Sequence, residues 1–183
     1  MCEGPWSLVM MPCEIPKPPS ERPYMGIELE RKFLLNSDTW PPAQRVQRFR
    51  QGYLATGPPV AVRVRVMDGH ANINIKQATS DLKREEFEYP IPLKEAEEIL
   101  ERLCIGYRIE KTRHYVEYEG FTWEIDVFHG ENAGLIVAEV EFDHENQTIA
   151  LPPWIGEEVS SDPRYLNASL ALRPYSQWAA DDP

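Results

Sequence analysis

Val62-Arg63-Val64-Arg65-Val66 and Ala71-Asn72-Ile73-Asn74-Ile75-Lys76, separated by Asp68-Gly69, form the stretch on which the fold is read. Successive side chains of a strand point to opposite faces. The valines and isoleucines therefore share one face, and Arg63, Arg65, Asn72, Asn74 and Lys76 share the other. Asp-Gly between two alternating runs is a turn signal. Residues 60–67 and 70–77 are read as two strands.

The same alternation extends outward. In 26–35, Glu28, Glu30 and Lys32 oppose Ile27, Leu29 and Phe33, with Arg31 the exception. In 84–91, Arg84, Glu86 and Glu88 oppose Phe87, Tyr89 and Ile91. In 107–118, Lys111 aligns with Arg113; in 121–129, Glu124 and Asp126 oppose Trp123, Ile125 and Val127. In 134–143, Glu139, Glu141 and Asp143 oppose Ala138, Val140 and Phe142. Residues 46–55 complete a set of eight candidate strands, with turns at Glu119-Gly120 and Gly130-Glu131-Asn132.

Two helices are expected. Leu93, Ala96, Ile99, Leu100 and Leu103 recur at spacings of three and four, which predicts a helix over Leu93–Cys104. Asp162 as N-cap with Pro163 at the first position predicts another over Pro163–Leu172. Prolines at 5, 12, 16, 18, 19 and 23 and the lack of any period mark residues 1–24 as a tail. Met25 directly precedes the first patterned segment, so the tail is expected to reflect the choice of start site. Residues 25–174 are read as one domain and 175–183 as a C-terminal tail.

A single strand with one charged face ordinarily turns that face to water. Seven strands whose polar face is almost wholly ionisable, with few of the Thr, Ser and Gln residues of a solvated sheet, point elsewhere. About eight antiparallel strands close into a barrel and so lose their exposed edges. The expected fold is mainly β (α+β): a closed eight-stranded antiparallel barrel forming a charged tunnel, with helices packed outside on its apolar face. Charges in such a lumen are costly unless paired, hydrated or bound to ligand. Arg and Lys neutralise phosphate oxygens. Clustered carboxylates beside them suit a hard divalent cation, Mg²⁺ or Mn²⁺, that bridges to phosphate.

Composition bounds the partners. Nineteen basic residues against 30 acidic ones give a formal net charge of −11, which repels duplex DNA and anionic membranes. No nucleic-acid or membrane partner is expected, and a small anion in a local cationic pocket remains. Cys2, Cys13 and Cys104 fit neither a disulfide framework nor a zinc knuckle. With no signal peptide read at 6–11 and no run of about 18 apolar residues, the reading is cytoplasmic, as a monomer or homodimer.

Glu28-Leu29-Glu30-Arg31-Lys32 is a Glu-x-Glu-x-Lys motif on the first strand. It is followed by Val62-Arg63-Val64-Arg65, Ile75-Lys76, Arg84-x-Glu86-x-Glu88 and Glu110-Lys111-Thr112-Arg113. Glu124-Ile125-Asp126-Val127, Glu139-Val140-Glu141-Phe142 and Asp162-Pro163-Arg164-Tyr165-Leu166-Asn167 complete the order. From about residue 26 to 174 this series resembles the CYTH superfamily, the triphosphate tunnel metalloenzymes, and within it the compact bacterial inorganic triphosphatases.

The resemblance implies hydrolysis of a triphosphate with Mg²⁺ or Mn²⁺. It implies that Glu28, Glu30, Glu139 and Glu141, with Asp126, surround the metal and the attacking water. Lys32, Arg63, Arg65, Lys76, Lys111 and Arg113 would cradle the phosphates. Tyr53 with Lys111 resembles a pair found in the compact branch, with Lys111 as base. Arg84, Glu86, Glu88, Glu124 and Arg164 are further lumen candidates.

An organic triphosphate is the alternative substrate, for a thiamine triphosphatase, a nucleoside triphosphatase or an adenylyl cyclase. The compact chain offers no clear base-reading element. A non-catalytic polyphosphate-binding module is disfavoured by the acidic cluster. Cys104, Trp40 and Pro152-Pro153-Trp154 are read as packing, and the four histidines as turn or outer-face residues without metal-ligand spacing.

Overall fold

The computed structural model of the protein describes residues 25–57, 59–78, 83–144 and 146–178. The side chains of residues 25–28, 78, 83 and 84 lie outside that description, as do the expected tail 1–24 and residues 179–183. The strands are β1 (Met25–Leu35), β2 (Arg45–Ala55), β3 (Val60–Met67), β4 (His70–Ala78) and β5 (Lys83–Pro90), then β6 (Ile105–Tyr118), β7 (Phe121–His129), β8 (Ile136–Glu141) and β9 (Ile155–Glu158). Helix α1 (Leu93–Arg102) separates β5 from β6, and α2 (Asn167–Leu172) follows β9.

All pairings are antiparallel, in the order β5-β4-β3-β2-β6-β7-β8-β1-β9. β1 is shared between neighbours. Its first half, Met25–Leu29, runs against β5, and Glu30–Leu34 runs against β8. Turns between consecutive strands require left-handed backbone. Asp68 and Glu119 take positive φ, each followed by a glycine that does the same.

The alternation read from the sequence governs the packing. Leu29, Phe33, Trp123, Ile125, Ala138 and Val140 form one apolar cluster, covered by Phe142, Ile149, Trp154 and Ile155. Trp40 packs on this cluster and meets His114 edge-on, and Trp154 meets Tyr118 the same way, so both tryptophans act as packing. On β3 and β4, Val64, Val66 and Ala71 bury against Ala96 and Leu100 of α1. Cys104 packs at the edge of this cluster.

The second helix departs from expectation. It divides into a 3-10 turn, Pro163–Tyr165, and α2, because Leu166 between them is extended (φ −71°, ψ 134°). Asp162 accepts a hydrogen bond from the Arg164 backbone N–H and so caps the turn. Nor does α2 pack on the outer apolar face. Leu170 and Ala171 bury against Tyr53, Ile109, Phe128 and Val137. Ile109 has the strand parity of Lys111, Phe128 that of Asp126 and Val137 that of Glu139, so α2 covers one end of the charged face.

Other differences are local. β9 has only four residues, two of them glutamates, too short for alternation to reveal. Helix α1 ends at Arg102 rather than Cys104, and β8 is shorter at both ends than 134–143. Within the expected C-terminal tail, Trp178 packs edge-on against Tyr165 and Tyr175, so residues 175–178 belong to the folded body.

Candidate active site

Lys32 of β1, Arg63 and Arg65 of β3, Lys76 of β4, and Lys111 and Arg113 of β6 line one cavity of about 320 Å³. They belong to four strands, of which only β3 and β4 are neighbours in the chain. β2 lies between β3 and β6, which brings the two Arg/Lys rows to either side of Phe49, Gln51 and Tyr53. The Phe49 ring centroid is 5.7 Å from the Arg65 guanidinium, 5.5 Å from that of Arg113 and 5.8 Å from Lys111 Nζ. Its negative face eases the crowding of three cations.

The carboxylates divide into two groups. Glu30, Glu139, Glu141 and Glu124 line the cavity. Glu30 is the register partner of Glu141 across β1 and β8, and Glu124 is that of Glu139 across β7 and β8. Like charges opposed across strands repel unless a cation compensates them. Each Glu139 oxygen is held: Lys32 donates to one and Arg113 to the other, at 2.7 Å in the second case.

The second group supports the cations from behind. Asp126 is wholly buried, and Lys111 and Arg113 both donate to it, Arg113 at 2.6 and 2.7 Å. Asp126 is absent from the cavity lining, and its two oxygens accept from two of the lining cations. Glu86 and Glu88 of β5 act similarly toward β3 and β4. Lys76 Nζ is 2.9 Å from Glu86, and Arg65 donates to Glu88 at 2.8 Å. Arg164 does not reach the cavity, because Asp162 binds its guanidinium and Trp178 lies beneath it. The side chains of Glu28 and Arg84 lie outside the described residues; their backbones pair across β1 and β5.

Burial and neighbouring charge set the electrostatics. Burial, reinforced by Arg113, pulls the Lys111 ammonium down to about 8, against Asp126 and Glu139. Burial and Arg63 bring Arg65 to about 10, with Glu88 and Glu86 opposing. Burial also works against the charge of Arg113, yet Asp126, Glu139 and Glu124 hold it well above the usual guanidinium value. Burial alone would raise Glu139, but Lys32, Arg113 and Lys111 keep it well below the usual carboxylate range. Burial raises Glu124, with Arg113 opposing. Burial raises the Tyr53 phenol against the pull of Arg63, Lys76 and Lys32. The charged neighbours of Tyr53 are thus those three cations, whereas Lys111 faces Arg113, Asp126 and Glu139.

Among the described residues, no three His, Cys, Asp or Glu side chains group closely enough to hold a metal ion. The donor chemistry still fits a hard cation, since Glu30 and Glu141 bring carboxylate oxygens into the cavity from directly opposed positions. Sequence reading assigned no role to Gln51, Asn74 or Asn167. Asn74 is fully buried and donates to Glu86 at 2.6 Å and to Glu88 at 2.7 Å while accepting from Arg63. Gln51 and Asn167 line the cavity with buried amide atoms that have no hydrogen-bond partner among the described residues. The polar parity of Asn72 and Asn74 is a signal in the sequence; an isolated Gln on β2 gives none.

Known proteins resemble this chain over most of its length. An inorganic triphosphatase of Acetivibrio thermocellus is 44% identical over 154 residues, covering 84% of this chain and 99% of that protein. An inorganic triphosphatase of Nitrosomonas europaea is 38% identical over 150 residues, covering 79% of this chain and 97% of that one. The crystal structure of the inorganic triphosphatase NE1496 superposes with a TM-score of 0.60 at 36% identity, over 79% of this chain and 94% of that one. The CYTH domain model matches residues 26–175, nearly all of the described structure, and the chain belongs to the CYTH domain family.

Proposed function

We propose that this protein hydrolyses a phosphoanhydride bond of inorganic triphosphate, releasing diphosphate and phosphate, with Mg²⁺ or Mn²⁺ as cofactor. The observation that carries the reading is the convergence of six cations from four strands on one cavity. The two relatives named inorganic triphosphatase support the substrate. The antiparallel pairing of β1 with both β5 and β8 supports a closed eight-stranded barrel, with the cavity as its tunnel.

In this reading Lys32, Arg63, Arg65, Lys76, Lys111 and Arg113 bind the phosphate oxygens. Asp126, Glu86, Glu88 and Asn74 hold those cations in place before substrate arrives, which is the preorganisation that phosphoryl transfer requires. Glu30 and Glu141, with Glu28 from the same strand as Glu30, would hold the divalent cation, which would supply neutralisation of the phosphate charge. Glu139 bridges Lys32 and Arg113 and offsets their mutual repulsion by accepting from both. Tyr53 directs its hydroxyl toward Arg63, and Lys111, with its lowered proton affinity, is the candidate base.

The test is phosphate release from inorganic triphosphate, ATP and thiamine triphosphate, with Mg²⁺, Mn²⁺ or EDTA. Metal-dependent turnover strongest on inorganic triphosphate is expected. Preference for an organic triphosphate would move the substrate assignment, and tight binding without turnover would make the cavity a receptor.

A further inference from the structure

Gln51 is 1% exposed, lines the cavity between Phe49 and Tyr53, and among the described residues neither its amide nitrogen nor its amide oxygen has a hydrogen-bond partner. A buried amide without partners is strongly unfavourable. Directly across the strand pair, Arg65 is its register partner on β3, and the Arg65 Nε–H is also buried without a partner among the described residues. Opposed side chains on neighbouring strands lie within about 5 Å at Cβ. A donor and an acceptor that both lack partners therefore face one another on the cavity wall.

We propose that Gln51 is a substrate-contacting residue: its Oε1 accepts from Arg65 Nε–H, and its Nε2 donates to an oxygen of the bound triphosphate. This rests on the triphosphate reading above. The argument is one of donors and acceptors. Once Arg65 Nε–H meets Oε1, both N–H bonds of the amide still need an acceptor. The nearby carboxylates are committed elsewhere, Glu139 to Lys32 and Arg113, Glu124 to Arg113, and Glu88 to Arg65 and Asn72. Asn72 Oδ1 is also buried without a partner among the described residues, but it lies beyond Arg65 on β4, one strand further from Gln51, so an anion rich in oxygen acceptors in the cavity is what the Gln51 amide can reach. Gln51 would be an uncharged donor among cations, able to recognise a phosphate oxygen without adding to their mutual repulsion. Its link to Arg65 Nε leaves the Arg65 Nη atoms to Glu88 and to substrate.

The experiment compares wild-type protein with Gln51→Leu and Gln51→Glu, using inorganic triphosphate with Mg²⁺. Leucine fills the same space without polar atoms, and glutamate replaces the donor with a negative charge. The inference expects Gln51→Leu to raise KM about tenfold or more with kcat nearly unchanged, the pattern of a contact kept through ground and transition states. It expects a larger loss in Gln51→Glu. An unchanged KM in Gln51→Leu would overturn the inference. A lowered Tm with KM intact would do so as well, by making Gln51 a structural amide. Absence of wild-type turnover on triphosphate would remove the functional reading, and this inference with it.

Discussion

Glu30 and Glu141 are direct register partners on β1 and β8, and both carboxylates line the cavity. Two opposed like charges destabilise a sheet by roughly 0.2–1 kcal/mol. Glu141→Gln is expected to raise Tm slightly in metal-free protein while lowering turnover at least about a hundredfold, on the scale of lost electrostatic stabilisation of a transition state. Melting curves with EDTA and with Mn²⁺ check it. Wild-type protein should gain Tm on adding the metal and Glu141→Gln should gain little; equal gains would remove Glu141 from the metal site.

Asp126 binds both Lys111 and Arg113 in full burial. Removing one partner of such a group leaves uncompensated buried charge. Asp126→Ala is expected to destabilise the protein by about 3–5 kcal/mol, read from urea unfolding. A loss below 1 kcal/mol would show that water reaches Lys111 and Arg113 and replaces the carboxylate.

Lys111 titrates near 8 in the folded protein against an ordinary 10.5. Below about pH 8 it carries its charge, and as pH rises through that value the cavity loses a cation. kcat/KM reports the free enzyme, so it should fall on the alkaline side with a midpoint near 8 if Lys111 acts by binding phosphate. Lys111→Arg should move that limb upward. If Lys111 serves as base, the neutral amine is the active form and kcat/KM should rise through the same midpoint. For stability, the unfolded chain holds this proton longer than the folded one between about pH 8 and 10.5. The contribution of this group to stability therefore rises with pH across that window.

Gly106 has φ +67°, and a Cβ there would lie 2.2 Å from the Ala171 carbonyl oxygen of α2. Strain and a backbone clash combine. Gly106→Ala is expected to cost more than the roughly 1–3 kcal/mol of ordinary overpacking and to loosen α2. Hydrogen exchange of α2 amides, compared with those of α1, would show the effect. Uniform exchange across both helices would contradict the assigned contact.

Strand identity and the parity of Lys32, Arg63, Arg65, Lys76, Lys111, Arg113, Glu139 and Glu141 were legible in the sequence, because alternation is local and each strand announces its two faces. So was the packing of α1, whose apolar stripe demands an outer apolar surface. Partner choice among the charges was not legible. β2 pairs with β6, and β1 with β5, β8 and β9, across long sequence separations that no local pattern encodes. Asp126 and Glu139 look alike in the sequence, and only the β6–β7 pairing sets Asp126 opposite Arg113 and within reach of Lys111. Chain register likewise placed Gln51 opposite Arg65, and the seating of Leu170 and Ala171 on Ile109 and Val137 made α2 the cover of one end of the charged face. The sequence by itself determined which residues are charged and which face they share. Only the tertiary structure decided which charges neutralise one another and which remain turned to the cavity, since that depends on through-space distances between strands far apart along the chain.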